Sequence, residues 1–301
     1  MAFLFDTFSN WNSYCQKNKI DLPGSVILYE QDQKGATESS IIEGLRQAWK
    51  VMKEAVESGL EEDMISTSGM INNGAKKVYN HEKTVLSREF QRLVARALSA
   101  KEVNACMGRV VAAPTAGASG IMPGVLYTLQ EIHHLKDDDI IRGMLVAAGI
   151  ALIIEHKSSL AGAVGGCQAE TGSAAAMAAG AIVFCLGGTL DEIFAAVAIT
   201  IQCMLGLVCD PVAGLVEVPC VVRNASAAAI ANSSAQMALA GVDPVIPVDE
   251  CIEAMGEIGQ SMETRYKETA QGGLANTPMG RAIAKQVLIN DIEILPDKKE
   301  I

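Results

Sequence analysis

A mainly α-helical domain is the fold predicted for this chain of 301 residues, and three observations predict it. Alternating strand patterns are nearly absent. Two segments, 41–56 and 86–98, repeat apolar residues at three- and four-residue steps, the period of one helical face. From about residue 104 to about 240 charge thins out and alanine and glycine dominate, as in helices that are apolar all round and lie inside a bundle. The expected organisation is one domain over 1–301. Peripheral amphipathic helices occupy 1–100, the Ala/Gly-rich core 104–240 and closing helices 241–301.

In the first segment Ile41, Ile42, Leu45, Ala48, Val51, Met52, Ala55 and Val56 share a face. Ser40 with Glu43 reads as a capping box and Gly59 as a stop. Residues 66–77 read as a polar, flexible loop feeding the basic pair Lys76 and Lys77. The helix over 86–98 places Arg88, Arg92 and Arg96 on its wet side. Segment 144–154 is apolar but too short to cross about 30 Å of hydrocarbon. Segment 171–190 is uncharged, but it is rich in alanine and glycine, broken at Gly187 and Gly188, and flanked by Glu170, Asp191 and Glu192. It reads as a buried helix. Beyond Pro244 and Pro247, helices are expected over 251–266 and 281–290.

Composition removes several function classes. Half the residues are hydrophobic, which excludes a disordered chain. A net charge of −11 opposes a nucleic-acid partner, because a phosphate backbone wants a basic face. The first residues have no basic stretch before their apolar ones, so a soluble, cytoplasmic protein is expected, with thiols or metal ligands rather than disulfides. No phosphate-binding G-x-x-x-x-G-K-[ST], dinucleotide G-x-G-x-x-G or nucleophile-elbow G-x-S-x-G occurs. His81, His133, His134 and His156 form no metal-like pair, and the tandem pair reads as surface.

The eight cysteines divide by neighbourhood. Cys185 and Cys203 sit in apolar runs and read as buried small hydrophobes, and Cys15, Cys106 and Cys251 read as structural. Cys167 follows Gly165 and Gly166, Cys209 precedes Asp210 and Pro211, and Cys220 follows Pro219. Each stands where a helix breaks or begins, where unpartnered N–H groups favour a thiolate. Their spacing fits neither a zinc ribbon nor a ferredoxin run, so a metal site and plain packing both remain open. The stretch Pro114-Thr115-Ala116-Gly117-Ala118-Ser119-Gly120 admits two readings. It is a glycine loop whose N–H groups and hydroxyls cradle an anion, or a tight turn with Thr115 or Ser119 as an N-cap.

Three stretches then resemble a known family: Gly166-Cys167-Gln168-Ala169-Glu170-Thr171-Gly172-Ser173, the run from Gly206 to Cys220 containing Cys209-Asp210-Pro211-Val212, and Ala113-Pro114-Thr115-Ala116-Gly117. They resemble the iron–sulfur L-serine dehydratases, and more narrowly the α subunit of the two-subunit form, over nearly the whole chain. The resemblance implies a [4Fe–4S] cluster held by Cys167, Cys209 and Cys220, with one iron open to substrate. It implies an oxygen-sensitive lyase of serine catabolism that turns L-serine into pyruvate and ammonia, paired with a β subunit. Ser68, Gly69, Thr115, Gly117, Ser119, Gly120 and Gly162 fall in segments that resemble those lining the family's substrate site. No residue is assigned as the catalytic base, and the β subunit is one candidate source. Lys157 and Ala161 depart from the family's Asn-Ala-Ser-Ile-Ser-Gly pattern, and Ser119 stands where many members carry cysteine. The alternatives are an L-cysteine desulfidase on the same scaffold and a non-catalytic iron–sulfur or zinc-stabilised subunit.

Overall fold

Ala174, Ala175, Ala176, Ala178, Ala179 and Ala181 are all fully buried. They lie in one helix so short of side chain that four neighbours close directly onto it. The computed structural model describes residues 6–294. Its helices in chain order are α1 (Phe8–Asn18), α2 (Leu22–Lys34), α3 (Glu38–Glu61), α4 (Gly74–Tyr79), α5 (Arg88–Ala105), α6 (Ile121–His133), α7 (Asp137–Lys157), α8 (Gly162–Gly165), α9 (Ser173–Cys185), α10 (Leu190–Met204), α11 (Cys220–Leu239), α12 (Val248–Ser261) and α13 (Pro278–Ile294). The central helix is α9, and α6, α7, α10 and α11 surround it. Gly180 permits the closest approach, since a Cβ there would overlap Ile150 of α7. The mainly α expectation holds: among the described residues no strand forms, only isolated bridges at Ile65–Asn72 and Cys209–Lys267.

Around this core the expected helices form with shifted ends. The N-cap of α3 is Thr37, not Ser40; its hydroxyl accepts from the Ser40 amide, and Ser40 returns the bond as the third helical residue. Gly59 does not stop α3, which runs on to Glu61. Its missing side chain instead lets Ser99 of α5 lie against the α3 backbone. The polar loop is only partly a loop, because Gly74–Tyr79 winds into α4. Glu102 accepts from the Gly74 and Ala75 amides, and this anion at the helix start satisfies two of its free donors. Arg96 is not on a wet face. It is buried, pairs with Glu131 at 2.8 Å and stacks over the Tyr127 ring. The helix expected over 251–266 begins and ends earlier, as α12, before a 3₁₀ turn at Thr264–Tyr266.

Among the described residues no helix is long and apolar enough to cross a membrane. Segment 144–154 is the buried middle of α7. The uncharged segment 171–190 becomes α9 plus a break at Leu186 to Gly188, as expected of a core helix.

Candidate active site

The three singled-out cysteines arrive from three separate breaks in the helical chain, and all three are buried. After α8 the chain reverses through Gly166 at φ +75°, a conformation that suits glycine. Cys167 then opens a π-helical turn, Gln168–Gly172, that leads into α9. Its sulfur lies 2.9 Å from the Thr171 hydroxyl. Cys209 sits between α10 and a 3₁₀ turn at Val212–Gly214. Its amide donates to the Tyr266 carbonyl at 2.8 Å and its carbonyl accepts from the Glu268 amide at 3.0 Å. Cys220 is the first residue of α11, behind a cis Val218–Pro219 bond.

These thiols feel one another. Burial pushes Cys209 up first, and Cys167, Glu268 and Cys220 add to the rise. Burial and then Cys167 push Cys220 up to about 12, against the opposing charges of Lys101 and Arg223. Cys167 is raised by burial, which Thr171 and Arg223 oppose. Among the described residues no group of three or more His, Cys, Asp or Glu is disposed to hold a single metal ion.

Three polar side chains near the cysteines, Glu170, Asn224 and Lys101, were not singled out from the sequence. Glu170, on the π turn, is buried and accepts a hydrogen bond from Thr115 Oγ1. Gly117 faces that same carboxylate, and a Cβ there would overlap it. Gly162 opens the other side: a Cβ would lie 3.4 Å from Cys209 Sγ and 3.5 Å from both Glu170 Oε2 and Glu268 Oε2. Asn224, one turn into α11, accepts from the Gly120 amide at 2.9 Å and donates to the carbonyls of Gly117 at 2.8 Å and Cys220 at 2.9 Å. Lys101 is fully buried in α5; its ammonium donates to Asn104 Oδ1 and, at 3.4 Å, to the Ala116 carbonyl. Burial lowers the Lys101 pKa, opposed by Cys220, Glu170 and Glu217. A legible signal existed for Lys101, because at four-residue steps it continues the buried stripe of Leu93 and Ala97.

The loop residues divide. Thr115, Gly117 and Gly162 gather around Glu170, and Gly120 joins them through Asn224. Thr115 precedes a 3₁₀ turn at Ala116–Ala118 without capping it, and Gly120, not Ser119, holds the N-cap position of α6. Ser119 Oγ is buried with no hydrogen-bond partner among the described residues. Ser68 donates to Glu217 Oε2 at 2.6 Å, as does Ser66, so Glu217 fastens this loop to the segment before Cys220. Gly69 turns at φ +74° toward open space. The departing residue Lys157 points away to Glu253 at 2.6 Å. Of the remaining cysteines, Cys15 and Cys251 are buried, Cys106 and Cys185 are half-buried, and Cys203 is exposed. The buried reading of Cys203 is therefore corrected; it lies near the end of α10 with its side chain exposed.

Sequence comparison with known proteins finds relatives of this chain. A family model described as serine dehydratase alpha chain matches residues 17–275. The chain is 42% identical over 275 residues to a probable L-serine dehydratase, alpha chain, of Bacillus subtilis, covering 90% of this chain and 91% of that one. It is 42% identical over 277 residues to the L-serine dehydratase, alpha chain, of Peptoniphilus asaccharolyticus, covering 91% and 95%. Against the L-serine dehydratase of Streptomyces coelicolor it is 39% identical over 83% of its own length and 56% of that protein's.

Proposed function

The chain belongs to the serine dehydratase alpha chain family, and on that premise we propose that it is the alpha chain of an L-serine dehydratase, releasing pyruvate and ammonia from L-serine. One observation carries the reading. Cys167, Cys209 and Cys220 come from three segments into one neighbourhood where Glu170 acts on all three thiols, and Asn224 ties Cys220 to the 115–120 loop.

The residues suit a [4Fe–4S] cluster as cofactor. Three buried thiols, each raised by burial and two of them raised further by a neighbouring thiol, are costly as thiolates on their own, and metal cations in place of the protons relieve that cost. Gly162 leaves room for at least a methyl group between Cys209 and two carboxylates. With only three thiolate ligands, such a cluster supplies an open iron, a Lewis acid for the serine hydroxyl.

The chain's own residues do the rest. The 115–120 loop receives the substrate carboxylate, with the unpartnered Ser119 hydroxyl as one donor and the Lys101 ammonium beneath the loop as fixed positive charge. Glu170 takes the α-proton at a carboxylate oxygen, oriented by the Thr115 hydroxyl. The C–H electron pair becomes the double bond of aminoacrylate as hydroxide leaves; aminoacrylate takes a proton at its terminal carbon to become the imine, and water then hydrolyses the imine to pyruvate and ammonia. A β subunit completes the enzyme; the alpha-chain names of the Bacillus and Peptoniphilus relatives support that part.

The test is anaerobic purification with the partner subunit, followed by iron, sulfide and pyruvate assays. About four irons per chain and pyruvate from L-serine are expected. No pyruvate from a fully loaded pair overturns the proposal, and sulfide release from L-cysteine in its place identifies a desulfidase.

A further inference from the structure

Arg223 touches the residues on both sides of Cys209 and shares a helix with Cys220. It lies on α11, three residues after Cys220 and so on the same helical face. Its Nη1 donates to the carbonyl of Val208, just before Cys209, at 2.9 Å. The same nitrogen lies 2.9 Å from Oδ1 of Asp210, just after Cys209, in an ion pair that is buried on the aspartate side. Asp210 is held in turn, since its Oδ2 accepts from the Leu274 amide at 2.7 Å. A planar guanidinium with five donors can meet several partners at once, which a lysine ammonium on a flexible stem does less well.

We propose that Arg223 is a positioning residue of the cysteine site: one cation that fixes the Cys209 segment against the helix begun by Cys220 and lends positive charge to the group the cysteines hold. The inference rests on the cluster reading above. A cation beside cluster sulfurs favours the reduced, more negative state, because hydrogen bonds to sulfur and local charge set the potential of such groups. Removing it lowers that potential. Removing a purely mechanical brace does not.

The experiment compares wild type, Arg223→Met and Arg223→Lys as full chains, reconstituted anaerobically with ferrous iron and sulfide. Iron per chain, the rate of iron loss in air and the reduction midpoint are read, with the far-ultraviolet circular dichroism as a check of folding. Arg223→Met is expected to lose iron at least several-fold faster. Its midpoint falls by the equivalent of about tenfold in the reduction equilibrium, about 59 mV for a one-electron couple. Arg223→Lys keeps the charge, so its midpoint stays near wild type while its iron loss remains accelerated. If Arg223→Met does not fold, the lysine variant decides alone: iron loss at the wild-type rate overturns the inference. A folded Arg223→Met with wild-type midpoint and iron retention overturns it while the cluster reading stands. A wild-type chain that takes up no iron overturns both.

Discussion

Asn224 accepts a hydrogen bond from the Gly120 amide at 2.9 Å, and its own amide reaches back to the carbonyls of Gly117 and Cys220. A single fully buried side chain thus locks the candidate carboxylate loop to the helix that starts with a cysteine. Replacing Asn224 with alanine orphans a buried N–H and a buried C=O in that loop. The expected cost is about 3 kcal/mol, read as a drop in the denaturant midpoint at unchanged slope. The KM for L-serine is expected to rise as well. Asn224→Asp still accepts from Gly120 but donates to neither carbonyl, so a near wild-type midpoint in that variant would refute the locking role.

Lys101 predicts a separation of stability from activity. Its side chain is fully buried, and among the described residues its ammonium meets the Asn104 amide oxygen and the Ala116 carbonyl rather than a carboxylate. Burying a charge on such terms is costly, so Lys101→Met is expected to unfold within about 1 kcal/mol of wild type, or later. Turnover of L-serine in the assembled enzyme is expected to fall roughly 100-fold or more, because the fixed charge under the loop is gone. A large loss of stability with activity preserved would show that Lys101 holds the fold and leaves the substrate alone.

Alkaline pH gives a third test, away from the cysteine site. Burial, followed by the hydrogen bond to Glu57, pushes the Tyr127 phenol up to about 12 from 10.0, and burial pushes the Cys185 thiol up to about 12 from 9.0. The Cys185 residue is only half-buried, but its sulfur is packed against Gly143, where a Cβ would lie 2.5 Å away. Both groups hold their proton more tightly folded than unfolded. Their contribution is therefore complete below about pH 9 and is lost as pH rises toward 12. Thermal midpoints should stay level to about pH 9 and then fall, and the fall should be shallower in Tyr127→Phe/Cys185→Ala. An identical alkaline slope in the double variant would remove these two groups from the account.

Composition made the core legible. A run such as 174–181, uncharged and all alanine and glycine but for Met177, offers no polar face to solvent, and it became the helix at the centre. Cysteines next to glycine, aspartate or proline were legible for the same local reason: each adjoins a helix break. What stayed hidden depends on pairs far apart in sequence. Arg96 looks solvated until Glu131, 35 residues on, arrives beside it. Glu170 read only as an acid flanking an apolar run, yet its partner Thr115 lies 55 residues earlier. Glu217 sits 149 residues from Ser68. No local pattern states such a contact, although Lys101 on an apolar stripe shows that a misplaced charge can announce one.

The cysteines allow the cofactor proposal to be dissected one atom at a time. Serine at 167, 209 or 220 replaces a sulfur donor with a hydroxyl that stays protonated and ligates iron poorly, at nearly constant volume. Each of these three variants is expected to fold, since Cys-to-Ser leaves packing almost intact, and each is expected to lose most of its iron and at least about 100-fold in pyruvate formation. Cys203→Ser alters an exposed thiol and should change neither. Cys15→Ala and Cys251→Ala remove buried sulfurs and should cost about 1 kcal/mol of stability while iron per chain stays at the wild-type level. The contrast is decisive in both directions. Iron retained in Cys209→Ser, or lost equally from Cys15→Ala, would mean that the three helix-break cysteines are not a ligand set and that their convergence is packing.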